Sequence, residues 1–268
     1  MSDFDLRFGG IGRLFGVDAL ARLRAAHVCV VGIGGVGSWT VEALARSGVG
    51  HLTLVDLDEV CVSNVNRQLH ALNADVGRTK VEVMAERVRG INPECDVRAL
   101  PEFFTESNAE ALLHTRYDFV VDAIDSLTNK CRLIALCRDK QIPIVTCGGA
   151  GGRQDPTQVR VADLADTSHD RLLQKTRVVL RRDFGFPRGE KKFGVSAVYS
   201  AESPVYPASD GTVCARRETS QGGEALRLNC DSGFGTATFV TGTFGFAAAA
   251  HVVQRIATKV PATAPPTV

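Results

Sequence analysis

The chain has 268 residues, 44% of them hydrophobic, enough for one large α/β domain or two small ones and too many for a disordered chain or a minimal stapled scaffold. Its 31 lysines and arginines balance 30 aspartates and glutamates, leaving a formal charge of +1, so contact with nucleic acid has to come from a local patch and not from global basicity. None of the eight cysteines stands in a C-x-x-C pair, which argues against a zinc ribbon or a thioredoxin-like site, and Asp3, Asp5 and Arg7 interrupt any apolar leader; the chain reads as a reduced, cytoplasmic protein.

In chain order, 27–33 is a β-branched apolar run that predicts a strand, followed by glycines and by a helix over 39–46. Residues 52–56 predict a second strand. Val81, Met84, Val88 and Ile91 have helical spacing over 80–91, and Asn92-Pro93 stops that helix. The alternation continues with a strand at 97–100, a helix at 108–114, a strand at 119–122, a helix at 129–140 and a strand at 142–147. Strands alternating with helices predict an α/β fold, a Rossmann-like, mainly parallel sheet with helices on both faces, extended by a C-terminal strand and helix region. The expected organisation is one domain over 1–260 with a nucleotide-binding core at 27–150, an exposed, partly mobile basic excursion at 163–194 and a disordered tail at 261–268. Residues 232–254 carry no Asp, Glu, Lys or Arg and are long enough to cross a bilayer, yet their glycines and threonines favour a helix buried between protein layers over a span or a membrane contact.

Gly32-Ile33-Gly34-Gly35-Val36-Gly37 joins the first strand to the first helix of this series, where missing side chains let backbone N–H groups approach a phosphate at a helix N-terminus. Asp56, 19 positions after Gly37, ends the next strand, the position of an acid that binds ribose hydroxyls. An NAD oxidoreductase or a nucleotide sensor without turnover would explain these features as well. Asp58, Ser63-Asn64-Val65-Asn66-Arg67-Gln68, Lys80 and the strand-end pair Asp122 and Asp125 are the surplus that a triphosphate with Mg²⁺ needs and a dinucleotide does not. In this reading Asn64 and Arg67 face the phosphates, Arg67 through its planar fork, Lys80 adds a point charge, and Asp125 is an oxygen ligand for the metal. Cys230 precedes a helix and is examined for reactivity, although a structural thiol is the simpler reading. Trp39 and His70 receive no role, and Gly148 to Gly152 form either a pocket roof or a flexible turn.

These residues resemble the ThiF-like, ubiquitin-activating-type adenylating enzymes over nearly the whole chain. Within that superfamily, Arg7-Phe8-Gly9-Gly10 with Arg13-Leu14, Cys61 to Gln68, Gly148 to Gly152 with Asp155-Pro156-Thr157, and Ser209-Asp210-Gly211-Thr212 are similar to a tRNA-modifying branch. The resemblance implies ATP and Mg²⁺ as cofactors and, as substrate, a tRNA whose threonylcarbamoyl adenosine carries a free carboxylate. That carboxylate is adenylated and captured internally with loss of water. It further implies that Gly32, Gly34, Gly35, Gly37 and Asp56, with Asp58 beside them, hold the nucleotide, Asn64, Arg67 and Lys80 the phosphates, and Asp125 the metal. A homodimer is implied too, in which Arg13 or Arg7 reaches the partner's ATP, and a cysteine desulfurase or sulfur-acceptor partner is compatible with it. The rival branch activates the C-terminus of a ubiquitin-like sulfur carrier, often with two C-x-x-C zinc pairs that this chain lacks. The 163–194 segment, with Arg177, Arg181, Arg182, Arg188, Lys191 and Lys192 around Phe184 and Phe186, favours RNA once the resemblance is granted.

Overall fold

The computed structural model describes residues 2–208, 210–215 and 234–258. Cys230 and the 261–268 tail lie outside the described residues. The chain starts with two helices that the sequence reading did not anticipate. Ser2 caps α1 (Asp3–Phe15) reciprocally, its Oγ accepting the Asp5 N–H at 3.1 Å and its own N–H donating to the Asp5 carboxylate at 3.0 Å. Gly16, at φ 96°, turns the chain into α2 (Val17–Ala25), and Phe4 and Phe8 bury against Leu20 across the pair. The charges at positions 3, 5 and 7 hide this i, i+4 aromatic pair from a reading of local hydropathy.

The alternation then runs as expected: β1 (His27–Val31), α3 (Gly37–Arg46), β2 (His51–Val55), α4 (Lys80–Ile91), β3 (Asp96–Leu100), α5 (Ala109–Leu112), β4 (Phe119–Asp122), α6 (Leu127–Asp139) and β5 (Ile144–Cys147). The sheet continues through β6 (Val159–Asp163) and β7 (Ser196–Ser200) in the order β3-β2-β1-β4-β5-β7-β6, parallel except for β6, which pairs antiparallel with β7 at the edge. Side chains alternate across it: Val28 and Val30 enter the core under α3, α4 and the last helix, while Cys29 and Val31 enter the core under α6. Both faces are covered, as a parallel sheet of apolar strands requires.

The 163–194 segment is not the exposed excursion expected from its charge. It contains α7 (Arg171–Asp183), capped by Asp170, whose Oδ1 accepts the Leu173 N–H at 2.9 Å, and Leu173, Thr176 and Leu180 bury on one face. Phe186 and Phe193 are buried in the same core, under the guanidinium groups of Arg138 (4.3 Å) and Arg181 (5.0 Å). Phe186 is therefore unavailable to stack on a base. Arg177 is spent on the Thr167 hydroxyl, Arg181 on the Pro187 carbonyl, Arg182 on Asp183 and Lys192 on Asp166. Dense charge concealed a helix whose buried stripe is only one residue wide per turn.

After a small hairpin of β8 (Tyr206–Pro207) and β9 (Val213–Cys214), the uncharged run forms α8 (Thr238–Ala257), which packs between α3 and the sheet. A Cβ on Gly245 would lie 2.6 Å from the Trp39 Cβ and 2.7 Å from the Val36 carbonyl oxygen, so the missing side chain sets how closely α8 approaches α3. The buried-helix reading holds, and no helix among the described residues is long and apolar enough to cross a membrane.

Candidate functional site

The strand order reverses between β1 and β4, and the carboxyl ends of these strands open the crevice where open α/β sheets bind ligands. Gly32 begins the loop after β1 at φ 90°, and a Cβ there would lie 2.8 Å from the Ala123 carbonyl oxygen. A Cβ on Gly37 would overlap the Gly32 carbonyl, so two glycines fold the loop tightly enough to start α3 at Gly37. No side chain caps α3; the Ser38 N–H donates to the Gly34 carbonyl at 3.1 Å, and the positive end of the helix dipole lies at the glycine loop. A Cβ on Gly35 would lie 3.6 Å from the Arg67 Cγ, so the arginine stem passes over it, and one on Gly34 would lie 4.0 Å from the Gln68 amide nitrogen.

Asp56 is buried and fixes this loop: its Oδ2 accepts the Ile33 N–H at 2.6 Å and its Oδ1 the Asp58 N–H at 2.9 Å. Burial pushes its carboxyl above the usual carboxylate range, with the Lys80 charge and these two bonds opposing the shift. Lys80, at the start of α4, is 4% exposed, and its Nζ donates to the Asp58 carboxylate at 2.7 Å while that carboxylate stays half in solvent. A buried ammonium whose counter-ion sits at the crevice mouth can pass from one anion to another without leaving the site.

The loop after β2 is braced by α3 and α8. The Arg67 carbonyl accepts the Trp39 indole N–H at 3.1 Å and the Thr241 hydroxyl at 3.0 Å, and Asn66 donates to the Thr236 carbonyl at 2.9 Å. The half-buried Arg67 guanidinium rests on the Ser63 carbonyl (2.6 Å) and Asn66 Oδ1 (3.1 Å). Asn64 is buried, and its Oδ1 accepts the Cys61 N–H at 3.1 Å, shaping the turn. Asp125 is exposed just beyond β4, and the described residues hold no cluster of three or more His, Cys, Asp or Glu that would cage a metal without help from a ligand.

Arg13 and Arg7 lie elsewhere. α1 packs beside Gly48, at the amino ends of the strands, where Arg7 pairs with Asp3 at 2.6 Å and the exposed Arg13 guanidinium folds back along its own helix toward Gly9. Neither enters the crevice of its own chain. Asp122, expected beside Asp125, is buried beneath the site instead, where its Oδ2 accepts Lys130 Nζ at 2.8 Å and the Thr146 hydroxyl at 2.6 Å.

Lys130, under the site, has no place in the sequence reading, and His70 and Trp39 receive no role in it. Lys130 has no exposure at all and also donates to the Cys147 carbonyl at 3.0 Å, joining the ends of β4 and β5. His70 is 2% exposed with both ring nitrogens unpartnered, and burial together with the Lys80 charge pushes its pKa down to about 4. Trp39 is a brace for Arg67 as well as a packing residue. A lysine on a helix and a histidine in a loop carry no sequence signal of burial, because the groups that pack around them come from distant parts of the chain.

The ThiF family model matches residues 11–267. The tRNA threonylcarbamoyladenosine dehydratase of Escherichia coli K12 is 54% identical over 254 residues, covering 94% of this chain and 94% of that protein. The enzyme of the same name from Haemophilus influenzae is 49% identical, covering 97% and 96%. A crystal structure of the E. coli tRNA N6-threonylcarbamoyladenosine dehydratase in complex with ATP superposes with a TM-score of 0.84 at 48% identity, covering 95% of this chain and 96% of that one.

Proposed function

The chain belongs to the ThiF family, and from that premise we propose that it is an ATP-dependent tRNA threonylcarbamoyladenosine dehydratase. It adenylates the threonyl carboxylate of N6-threonylcarbamoyladenosine next to the anticodon and closes the arm into a ring with net loss of water. The observation that carries this reading is the buried Lys80 set against Asp58 in a crevice floored by the glycine loop, in a chain 54% identical to such an enzyme over 94% of both lengths.

In the first step a carboxylate oxygen attacks the α-phosphorus of ATP and pyrophosphate leaves, giving an acyl-adenylate. In the second, a nucleophile within the same modified nucleoside attacks the acyl carbon and AMP leaves. The α3 amides and the glycine loop receive the phosphates. Arg67 adds a planar fork and Lys80 a mobile charge as negative charge builds on the leaving pyrophosphate. Asp56 keeps the loop in register with β2 through the Ile33 bond. The second step gains from proximity, because electrophile and nucleophile belong to one molecule. No protein nucleophile is required.

A single exposed carboxylate, Asp125, suits Mg²⁺, which keeps several waters and binds through one or two carboxylates and the substrate phosphates. Bound there, the metal would neutralise phosphate charge. The enzyme works as a cytoplasmic homodimer in which Arg13 serves the partner's site, an assignment supported by its position outside its own crevice. The test is incubation with ATP, Mg²⁺ and tRNA bearing the threonylcarbamoyl arm, followed by digestion and mass measurement of the nucleosides. An ATP-dependent loss of one water is the expected result. No loss, with pyrophosphate exchange appearing only after a ubiquitin-like carrier is added, would move the chain to the sulfur-carrier-activating branch.

A further inference from the structure

A cavity of about 310 Å³ adjoins the crevice, walled by Gly152 and Arg153 beyond β5, Tyr206 and Val213 of the small hairpin, and Thr236 and Phe239 at the start of α8. The volume is at the lower end of small-molecule sites. Its place follows from the strand order. Asp56, Asp58 and Lys80 gather on the β2 side of the reversal between β1 and β4, whereas the cavity lies on the β5 and β7 side. A nucleotide held by Asp56 and the α3 N-terminus occupies the first half, and the second is left for the group that attacks it. The two halves are mechanically joined. Asn66 donates to the Thr236 carbonyl at 2.9 Å, Thr238 to the Asn66 carbonyl at 2.7 Å, and Thr241 to the Arg67 carbonyl at 3.0 Å, so the cavity rim and the phosphate-side arginine move as one unit.

The lining has the chemistry of a nucleobase site. Phe239, in the first turn of α8, is 58% exposed at the cavity. Tyr206 packs against Phe234 with ring centroids 5.0 Å apart and lies under the Arg171 guanidinium at 5.5 Å, which holds its ring as a fixed wall. Gly152, at φ 73°, permits this: a Cβ there would lie 2.7 Å from the Phe234 ring. Arg153 is 5% exposed, donates to the carbonyls of Glu202 and His169, and has no partner for its Nε. The carboxylates of Asp170 and Glu202 lie close enough to offset its charge, so what this wall offers a guest is polar hydrogen-bonding capacity and not net charge.

We infer that this cavity is the nucleoside subsite, in which a purine drawn out of its stack lies against Phe239 with its anionic N6 arm directed past Thr236 toward Arg67. Bases in single-stranded RNA loops are recognised by this kind of stacking. The inference rests on the dehydratase reading and adds where the substrate base sits. It is tested with the full chain, ATP, Mg²⁺ and tRNA carrying the threonylcarbamoyl arm.

Phe239→Ala is expected to raise KM for this tRNA roughly tenfold, the loss of one base–aromatic stack of about 1.4 kcal/mol, with KM for ATP unchanged. Val213→Trp, at an exposed rim position, should fill the cavity and lower kcat/KM for tRNA, again sparing ATP. Free N6-threonylcarbamoyladenosine should inhibit the wild-type chain competitively against tRNA and inhibit Phe239→Ala less. An unchanged KM for tRNA in both variants overturns the subsite and leaves the dehydratase reading intact. A parallel rise in KM for ATP also overturns it, because the cavity would then serve the nucleotide. If the wild-type chain removes no water from the modified tRNA, both readings fall together.

Discussion

Replacing Lys130 by methionine removes an ammonium that has no exposure and donates to Asp122 Oδ2 at 2.8 Å, Thr146 Oγ1 at 3.2 Å and the Cys147 carbonyl at 3.0 Å. Methionine fills much of the space, so the cost is chiefly electrostatic. The Asp122 carboxylate keeps only the Thr146 hydroxyl and the Ile124 N–H (3.0 Å) in a site closed to water. Breaking a buried pair by removing one partner costs about 3–5 kcal/mol. Urea unfolding should show that loss as a lower midpoint at unchanged slope. The double variant Lys130→Met with Asp122→Asn leaves no stranded charge and should recover most of the deficit, because replacing both members of a buried pair is often near neutral. Activity should fall as well at temperatures where the single variant remains folded, since Asp122 holds the turn that carries Asp125. A loss below about 1 kcal/mol in the single variant, or a double variant no better than the single, would refute this account.

Three further outcomes are expected. His70 stays neutral in the folded chain down to about pH 4, whereas its ordinary value is 6.5, so the unfolded chain takes up a proton that the folded chain refuses. Stability should therefore fall as pH drops from 6.5 to about 4, by up to about 3 kcal/mol from this group; urea midpoints for His70→Gln that decline as steeply as the wild type's would contradict it. Gly245→Ala puts a methyl group 2.6 Å from the Trp39 Cβ. Its expected cost is about 1–3 kcal/mol, with weaker ATP binding because α3 and its N-terminal amides must shift, and a calorimetric titration matching wild type would argue that α8 does not control the loop. Asp125→Ala should abolish Mg²⁺-dependent turnover while circular dichroism stays unchanged, and a fully active variant would show that the metal is held elsewhere.

The nucleotide-binding half of this protein is legible in the sequence because its signals are local. Apolar strands of four or five residues alternate with helices, glycines crowd one turn, and Asp56 ends the next strand, so a mainly parallel sheet and a strand–glycine turn–helix unit follow from patterns within short windows. Arg67, Lys80 and Asp125 could be singled out by type and position; what each touches, Ser63 for Arg67 and Asp58 for Lys80, could not. Nothing in the sequence signals the turn that Asn64 shapes, because the Cys61 N–H that its Oδ1 accepts is a contact no residue pattern records.

What only the tertiary structure decided depends on partners brought from far along the chain. The charge of 163–194 suggested a solvated excursion, yet Leu173 and Leu180 bury under the same core as β4 and α6. The uncharged 232–254 run is silent about what it packs on until Gly245 meets Trp39. Lys130 is invisible as a buried ion until Asp122 and Thr146, on two neighbouring strands, close around it. A sequence records which side chains a segment must hide or show at its own period; it does not record which distant group will neutralise a charge or leave a cavity unfilled. Those outcomes are set when separate elements pack together, because desolvation and pairing energies depend on distances that no local pattern contains.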